Sequence, residues 1–412
     1  MHPFSTTLLG LVERETRDTD VMQDALVAIR NHLGMEVAYI SEFVDGRAIF
    51  RRVDAPGLEH LIKVGDSQAL EDIYCNHILE GRLPELMADT SKEPQARAMP
   101  ITGAVPIGSH ISLPIRLPDG TPFGMFCCLS PRAIPTLNER DLETMKVFAG
   151  LAARQVNTEL AQRLRWRDKR ATIEAVLLEP GFEVVFQPIV DLIGLRLNAF
   201  EALCRFAPSP YRSPDKWFQD AADVGLGVDL ELAAIQAAVS AFPMLPEHVE
   251  LSVNASPETV ISGRLGAALG AGCLDRTILE LTEHARVDDY AALHRALAPL
   301  RQGGMKTAID DAGAGFSGLQ HIVELAPDIV KLDMSLTRAI DIDPARRALT
   351  SAMIHFARET GSIVVAEGIE THNELLTLQA LGVNKGQGYL LGRPGPLSSF
   401  AMASPVLMAA AS

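Results

Sequence analysis

The sequence predicts two domains of different class: an α+β domain with an antiparallel sheet, then an α/β barrel, with a long helix joining them. Three observations carry this. Paired strand-like runs around turn residues occupy the first third of the chain. From about Asn138 the apolar period becomes helical, and after about Ala171 short apolar runs alternate with helical segments. A length of 412 residues also suits two domains better than one.

The elements follow in order. Residues 20–33 read as an amphipathic helix, because Met22, Ala25, Leu26, Ile29 and Leu33 share a face, with Asp20 as N-cap and Gly34 past the end. VAYISEFV and RAIFRRV flank Asp45-Gly46, a hairpin signal. HISLPIRL and PFGMFCCLS flank Pro118-Asp119-Gly120. There Ile111, Leu113, Ile115 and Leu117 alternate on one face, and Phe123, Met125, Cys127 and Leu129 do so on the next strand. The helix that follows carries Leu142, Met145, Ala149, Ala152, Val156, Leu160 and Leu164 at spacings of three or four. A seam so narrow predicts pairing with its twin in a homodimer, although its first part also suits packing on the sheet. From 171 to about 405, repeated strand–helix alternation predicts parallel βα units closed into a TIM-like barrel. The first domain then spans 15–160, and the boundary falls near 160–175.

Composition narrows the function classes. The apolar fraction of 47% fills two cores, and a net charge of −15 argues against DNA or an anionic membrane as partner. A nucleotide substrate stays open, since bound metal ions reverse a local field. The cysteines at 75, 127, 128, 204 and 273 show no CxxC spacing and read as reduced thiols of a cytoplasmic protein. The start MHPFSTTLLGLVERETRD lacks a signal peptide's basic region, and no apolar run nears the ~20 residues that span a bilayer. The tail AMASPVLMAAAS reads as a loose terminus or a last helical turn.

The chemistry gathers at strand ends. Glu201, Asn254, Glu280, Asp310, Asp311 and Glu367 each close a short apolar run, with Glu283 just beyond. Carboxylates are costly to bury side by side unless a cation neutralises them. Oxygen ligands at the end of a barrel where active sites form predict a divalent-metal centre. The adjacent Asp310 and Asp311 would let one carboxylate bridge two ions; both converge only where the strand ends and the loop AGAGFSG begins. All-oxygen ligation suits Mg2+ or Mn2+, and two such ions about 3.5–4 Å apart are a device for phosphodiester hydrolysis. Taken singly, each residue has a plainer reading: a solvated charge, a surface lysine at 331, or for Asn254 a cap on the helix after Ser256. His284, His294, His321 and His355 lack ligand spacing and read as structural or surface groups.

These residues resemble those of the EAL family of cyclic di-GMP phosphodiesterases. The ordered set is FQPIV at 186–190, EALCR at 201–205, VNAS at 253–256, ELTE at 280–283, DDAGAG at 310–315, VKLD at 330–333, AEGIE at 366–370 and GQGYLLGRP at 386–394. The resemblance covers roughly 175–400. It implies hydrolysis of cyclic di-GMP to linear 5′-pGpG with two Mg2+ or Mn2+ ions. Glu201, Asn254, Glu280 and Asp310 match the first metal site, and Asp310, Asp311 and Glu367 the second. Lys331 matches the lysine that holds the attacking water, Glu283 the glutamate that secures the loop after the aspartates. Gln187 and Arg205 match substrate contacts, Gln387 the water and metal network, and Glu370 a contact to guanine. Beside two cations, Lys331 is expected to have a depressed pKa. A departure lies at Ala312, where many members carry an aromatic ring, and at Phe316, which replaces a tyrosine; both bear on regulation more than on chemistry. The alternative is a catalytically silent cyclic di-GMP receptor.

The first half resembles a GAF domain through its helix–hairpin opening, YCNHILEGRLPELMADT at 74–90 and GSHISLPIRLPDGTPFGMFCCLS at 108–130. That implies a regulatory domain with a small-molecule ligand of unknown identity. Cys75, His77 and His110 invite a chromophore or haem reading, against which stand ordinary helix, loop and strand roles.

Overall fold

Residues 21–400 are described by the computed structural model, apart from 180, 208–210, 271, 283–286, 288 and 313–316. They form two compact units, which divide between Arg165 and Trp166.

The first unit is built on a six-stranded antiparallel sheet. Its strands are β1 (Val37–Val44), β2 (Arg47–Asp54), β3 (Ser67–Ala69), β4 (Leu86–Met87), β5 (Ser109–Arg116) and β6 (Pro122–Ser130), in spatial order β3-β2-β1-β6-β5-β4. Asp45 and Gly46 both adopt positive φ, 50° and 74°, as the tightest hairpin turn requires. The helix Val21–Leu33 buries the five apolar residues read from its period. One sheet face shares its core with this helix and with Met145, Phe148, Ala149, Ala152 and Val156. The other face packs Tyr39, Phe50, Met125 and Cys127 against Tyr74, Cys75 and Ile78. Both faces are covered, so β6 is apolar throughout and its alternation is less telling than it looked. Phe123 packs with the core opposite to that of Met125, Cys127 and Leu129.

The joining helix runs from Glu139 to Leu178. Met145, Ala149, Ala152 and Val156 bury its seam, whereas Leu164 is 57% exposed. Its last turns belong to the second unit, where Ile173 and Val176 pack with Phe206, Trp217 and Leu230.

The second unit is a closed barrel of β7 (Phe182–Asp191), β8 (Arg196–Phe206), β9 (Glu250–Ala255), β10 (Thr277–Thr282), β11 (Lys306–Ala312), β12 (Ile329–Leu332), β13 (Ile363–Ala366) and β14 (Lys385–Gly386). From β8 to β14 neighbours are parallel, but β7 runs antiparallel to both β8 and β14. The expectation of uniformly parallel units fails at this strand. The turn between Asp191 and Arg196 is too short for a crossover, which needs about a dozen residues, so the chain makes a hairpin.

The barrel lumen is layered by the two-residue period of its strands. Ile189, Ala199, Ile278, Ala308, Ile329 and Val365 form one buried apolar cluster. Along each strand, two positions on towards the rim, stand Gln187, Glu201, Glu280, Asp310, Lys331 and Glu367. The apolar layer closes the barrel beneath the polar one.

Candidate active site

At the centre of the polar layer the Lys331 side chain is 1% exposed. Its Nζ lies 2.6 Å from Glu367 Oε1, 2.8 Å from Glu280 Oε2, 3.0 Å from Asp310 Oδ1 and 3.6 Å from Glu201 Oε2. Burial pushes the ammonium down, but Asp310, Glu201, Glu280 and Glu367 together hold it well above the ordinary lysine value. The sequence reading expected a depressed pKa because it placed cations beside the lysine. With carboxylates alone around it, the balance runs the other way. Burial likewise drives the Glu280 carboxyl well up, against the pull of Lys331, and lifts Glu367 to about 8. One lysine does not neutralise the surrounding acids.

The paired aspartates converge by a bulge. β11 keeps register with β12 through Ile309 and Val330, slips, and resumes at Ala312 opposite Leu332. Asp311, inside the slip, has φ 54°. The strand therefore does not end at the pair, as the sequence reading had it; the left-handed residue turns what would be opposite faces towards one side. Ala312 is fully buried in the barrel's outer core. Glu283 and Phe316 lie outside the described residues.

Around this centre the partners are fixed by register. Gln187 stands opposite Glu201 across β7 and β8. Gln387 Nε2 donates to Glu201 Oε2 at 2.6 Å and to Gln187 Oε1 at 2.9 Å. Gly388 permits this, since a Cβ there would meet the Ile369 backbone at 2.2 Å. Asn254 Nδ2 donates to Glu201 Oε1 at 3.3 Å, and Ser256, not Asn254, caps the following helix. Arg205 lines a cavity of about 350 Å3 with Asn254, Glu231 and Phe218. Glu370 pairs with Arg338 at 2.5 Å, so its carboxylate faces a cation outside the cluster.

Two residues escaped the sequence reading. Ser252 Oγ donates to Glu280 Oε1 at 2.5 Å; a serine inside an apolar strand gave little signal. Glu374 accepts backbone N–H bonds from Ala339, Glu370 and Thr371, tying down the loop after β13. The Thr371–Glu374 spacing is a capping box and was readable.

Asp310, Asp311 and Glu367 each offer a carboxylate oxygen, all within 4.8 Å of one another. Asp310 Oδ1 is buried and accepts no hydrogen bond, despite the ammonium nearby. A buried, under-satisfied carboxylate oxygen among hard oxygen donors fits a divalent cation such as Mg2+ or Mn2+.

In the first unit a cavity of about 80 Å3 is lined by Tyr39, Phe50, Tyr74, His110 and Leu129 among others. Cys75 is buried at 1% exposure against Cys127.

Family models match both parts of the chain. The model of the EAL domain matches residues 170–394, more than half of the sequence, and the chain belongs to that family. A GAF domain model matches residues 16–156. A relative from Pseudomonas aeruginosa, "Cyclic di-GMP phosphodiesterase PA2567", is 33% identical over 232 residues, 54% of this chain and 40% of its own length. The chain thus spans well under half of that relative. The structure of the PaMucR phosphodiesterase in complex with c-di-GMP is similar at TM-score 0.51 and 26% identity, covering 56% of this chain and 99% of that one. The EAL enzyme Bd1971 covers 89% of this chain and 92% of its own at TM-score 0.55; with 21% identity, it speaks for the fold alone. Among the described residues no helix is long and apolar enough to cross a membrane.

Proposed function

We propose that the barrel hydrolyses one phosphodiester bond of cyclic di-GMP, giving linear 5′-pGpG, with two divalent cations. The observation that carries this is the excess of buried acid: Glu201, Glu280, Asp310 and Glu367 converge on the single ammonium of Lys331. Such a cluster is stable only with protons or cations added. The substrate class rests on the likeness to cyclic di-GMP phosphodiesterases.

Glu201, Asn254, Glu280 and Asp310 would hold one ion, and Asp310, Asp311 and Glu367 the other, with Asp310 between. When bound, the ions supply positive charge for the phosphoryl oxygens and a hydroxide near neutral pH. The other roles belong to the protein. Lys331 holds and orients the attacking water. Arg205 gives planar, charge-assisted bonds to a phosphate oxygen, and Gln187 contacts substrate. Gln387 orients Glu201, and its own buried, unpartnered Oε1 is an acceptor for an ordered water. Glu283 secures the loop after the aspartates, and Glu370 contacts guanine once released from Arg338. The first unit binds a small molecule and modulates the barrel, and the exposed stretch of the joining helix around Leu164 pairs with a second copy.

Incubating the purified chain with cyclic di-GMP and Mn2+, then separating products, tests the reading. Turnover that is lost on chelation and in Glu201→Ala is expected. Binding without turnover would instead make the protein a receptor, and turnover of a different dinucleotide would move the substrate.

A further inference from the structure

The first unit holds a second nucleophilic cluster, built on one row of its sheet. Tyr39 on β1 and Ser112 on β5 both stand opposite Cys127 on β6. Residues paired across a ladder share a face. His110, two positions before Ser112, lies on that face, and Cys75, from the helix Tyr74–Leu79, packs down onto it. The sulfurs of Cys75 and Cys127 are 3.9 Å apart. Ser112 Oγ is 3.0 Å from Cys127 Sγ, and Tyr39 OH is 4.0 Å from Cys75 Sγ. Cys128 points into the opposite core.

The two thiols are not equivalent. Burial raises Cys127, but contacts with Cys75, His110 and Ser112 outweigh it and pull the group down to about 5. The hydrogen bond to Cys127 and burial push Cys75 well above the ordinary thiol. The arrangement is a nucleophilic sulfur with a protonated partner beside it. The neighbouring cavity of about 80 Å3 brings Tyr39 and His110 to its wall. His110 is 2% exposed, and its Nδ1 has no hydrogen-bond partner. Neither sulfur lines the cavity; Tyr39, which does, lies against Cys75.

We infer that Cys75 and Cys127 form a peroxide-responsive modification site, in which a small hydroperoxide that reaches the pair past Tyr39 and His110 converts it to a disulfide. The Cys127 sulfur attacks the O–O bond, forming a sulfenic acid and expelling alkoxide or hydroxide, which takes up a proton. The Cys75 thiol then gives up its proton, and its sulfur displaces water from Cys127. The sum is two thiols and one hydroperoxide giving a disulfide, an alcohol or water, and a further water. The sulfurs must close from 3.9 Å to about 2.05 Å on oxidation. The site is independent of the chemistry proposed for the barrel.

The test is mapping of the full chain after treatment with hydrogen peroxide. Thiols are blocked under denaturing conditions and peptides compared with and without reduction. A Cys75–Cys127 link, two mass units lighter than the dithiol and reversed by dithiothreitol, is expected, with Cys204 and Cys273 still alkylated. Cys128→Ala removes ambiguity with the adjacent residue and should leave the link intact. In Cys75→Ser, Cys127 should stop at the sulfenic acid and label with dimedone. Five alkylatable thiols in the peroxide-treated wild-type chain, or a link through Cys128, would overturn the assignment, and neither readout depends on the variants folding.

Discussion

Lys331 Nζ and Glu367 Oε1 meet at 2.6 Å, one on β12 and the other just past the end of β13. Each side chain stands two positions beyond an apolar residue, Ile329 and Val365, that packs inside the same barrel. The contact follows from the strand period and from parallel register, in which Lys331 pairs with Val365. It places the cluster's central cation among acids that outnumber it.

Replacing Lys331 by Met should therefore damage both stability and turnover. Breaking a buried ion pair costs about 3–5 kcal/mol, because uncompensated carboxylates remain. The variant should melt below the wild type in chelator, recover much of the difference with Mn2+, and still turn over at least ~100-fold more slowly, the loss expected when the attacking water is unheld. Melting curves with and without Mn2+, beside a product assay, separate the effects; turnover near wild type would sink the role given to the lysine.

Asp311 offers a way to split backbone from carboxylate. At φ 54° a side chain other than Asn, Asp or Gly is strained by roughly 1–2 kcal/mol. Asp311→Asn and Asp311→Gly should unfold in urea near the wild-type midpoint, whereas Asp311→Ala should be lower by that amount. All three should lose turnover. Equal midpoints for Ala and Gly would remove the strain from the account of the bulge.

Gln387 bridges β14 to β8 and β7 through Glu201 and Gln187. Loss of a group that orients a metal ligand typically costs 10- to 100-fold in affinity or activity. Gln387→Ala should shift a Mn2+ activation curve rightward within about that range while the fold persists. An unchanged curve would confine Gln387 to packing.

Glu374 is a pH-dependent clamp on the loop that follows β13. Burial raises its carboxyl, yet the N–H groups of Ala339, Glu370 and Thr371 and the Thr371 hydroxyl bring it below 4.5. A depressed acid stabilises the fold above its unfolded value and loses that contribution as the pH falls through its folded value. Glu374→Gln should cost about 1–3 kcal/mol at pH 7. The gap to wild type should shrink below pH 4, as read from denaturant midpoints at both pH values. A constant gap would show that charge plays no part.

Much of this was legible before any coordinates, for physical reasons that vary by element. The helix Val21–Leu33 and its five buried residues followed from a 3.6-residue period with a core on one side only. The β6 alternation misled at Phe123, because the register with β5 skips this residue and the bulge breaks the two-residue period. The antiparallel β7 was missed because a strand's direction leaves no trace in its own composition. Ser252 and the Cys75–Cys127 pair were missed because partners 28 and 52 residues away in sequence meet only once strand pairs with strand or helix packs on sheet.

By itself the sequence determined which residues are the candidates for the chemistry. Singly, a carboxylate or amide closing an apolar run could be a solvated charge or a cap, but their order along the chain names the family. Only the tertiary structure decided how those groups meet. Closure of the barrel brings Glu201, Glu280, Asp310 and Glu367 within reach of one ammonium, and a one-residue slip with a left-handed Asp311 turns adjacent aspartates to one side. Distance, burial and the raised pKa of the lysine among carboxylates alone are properties of that meeting, since electrostatic energy depends on separation and surrounding dielectric, which no single strand contains.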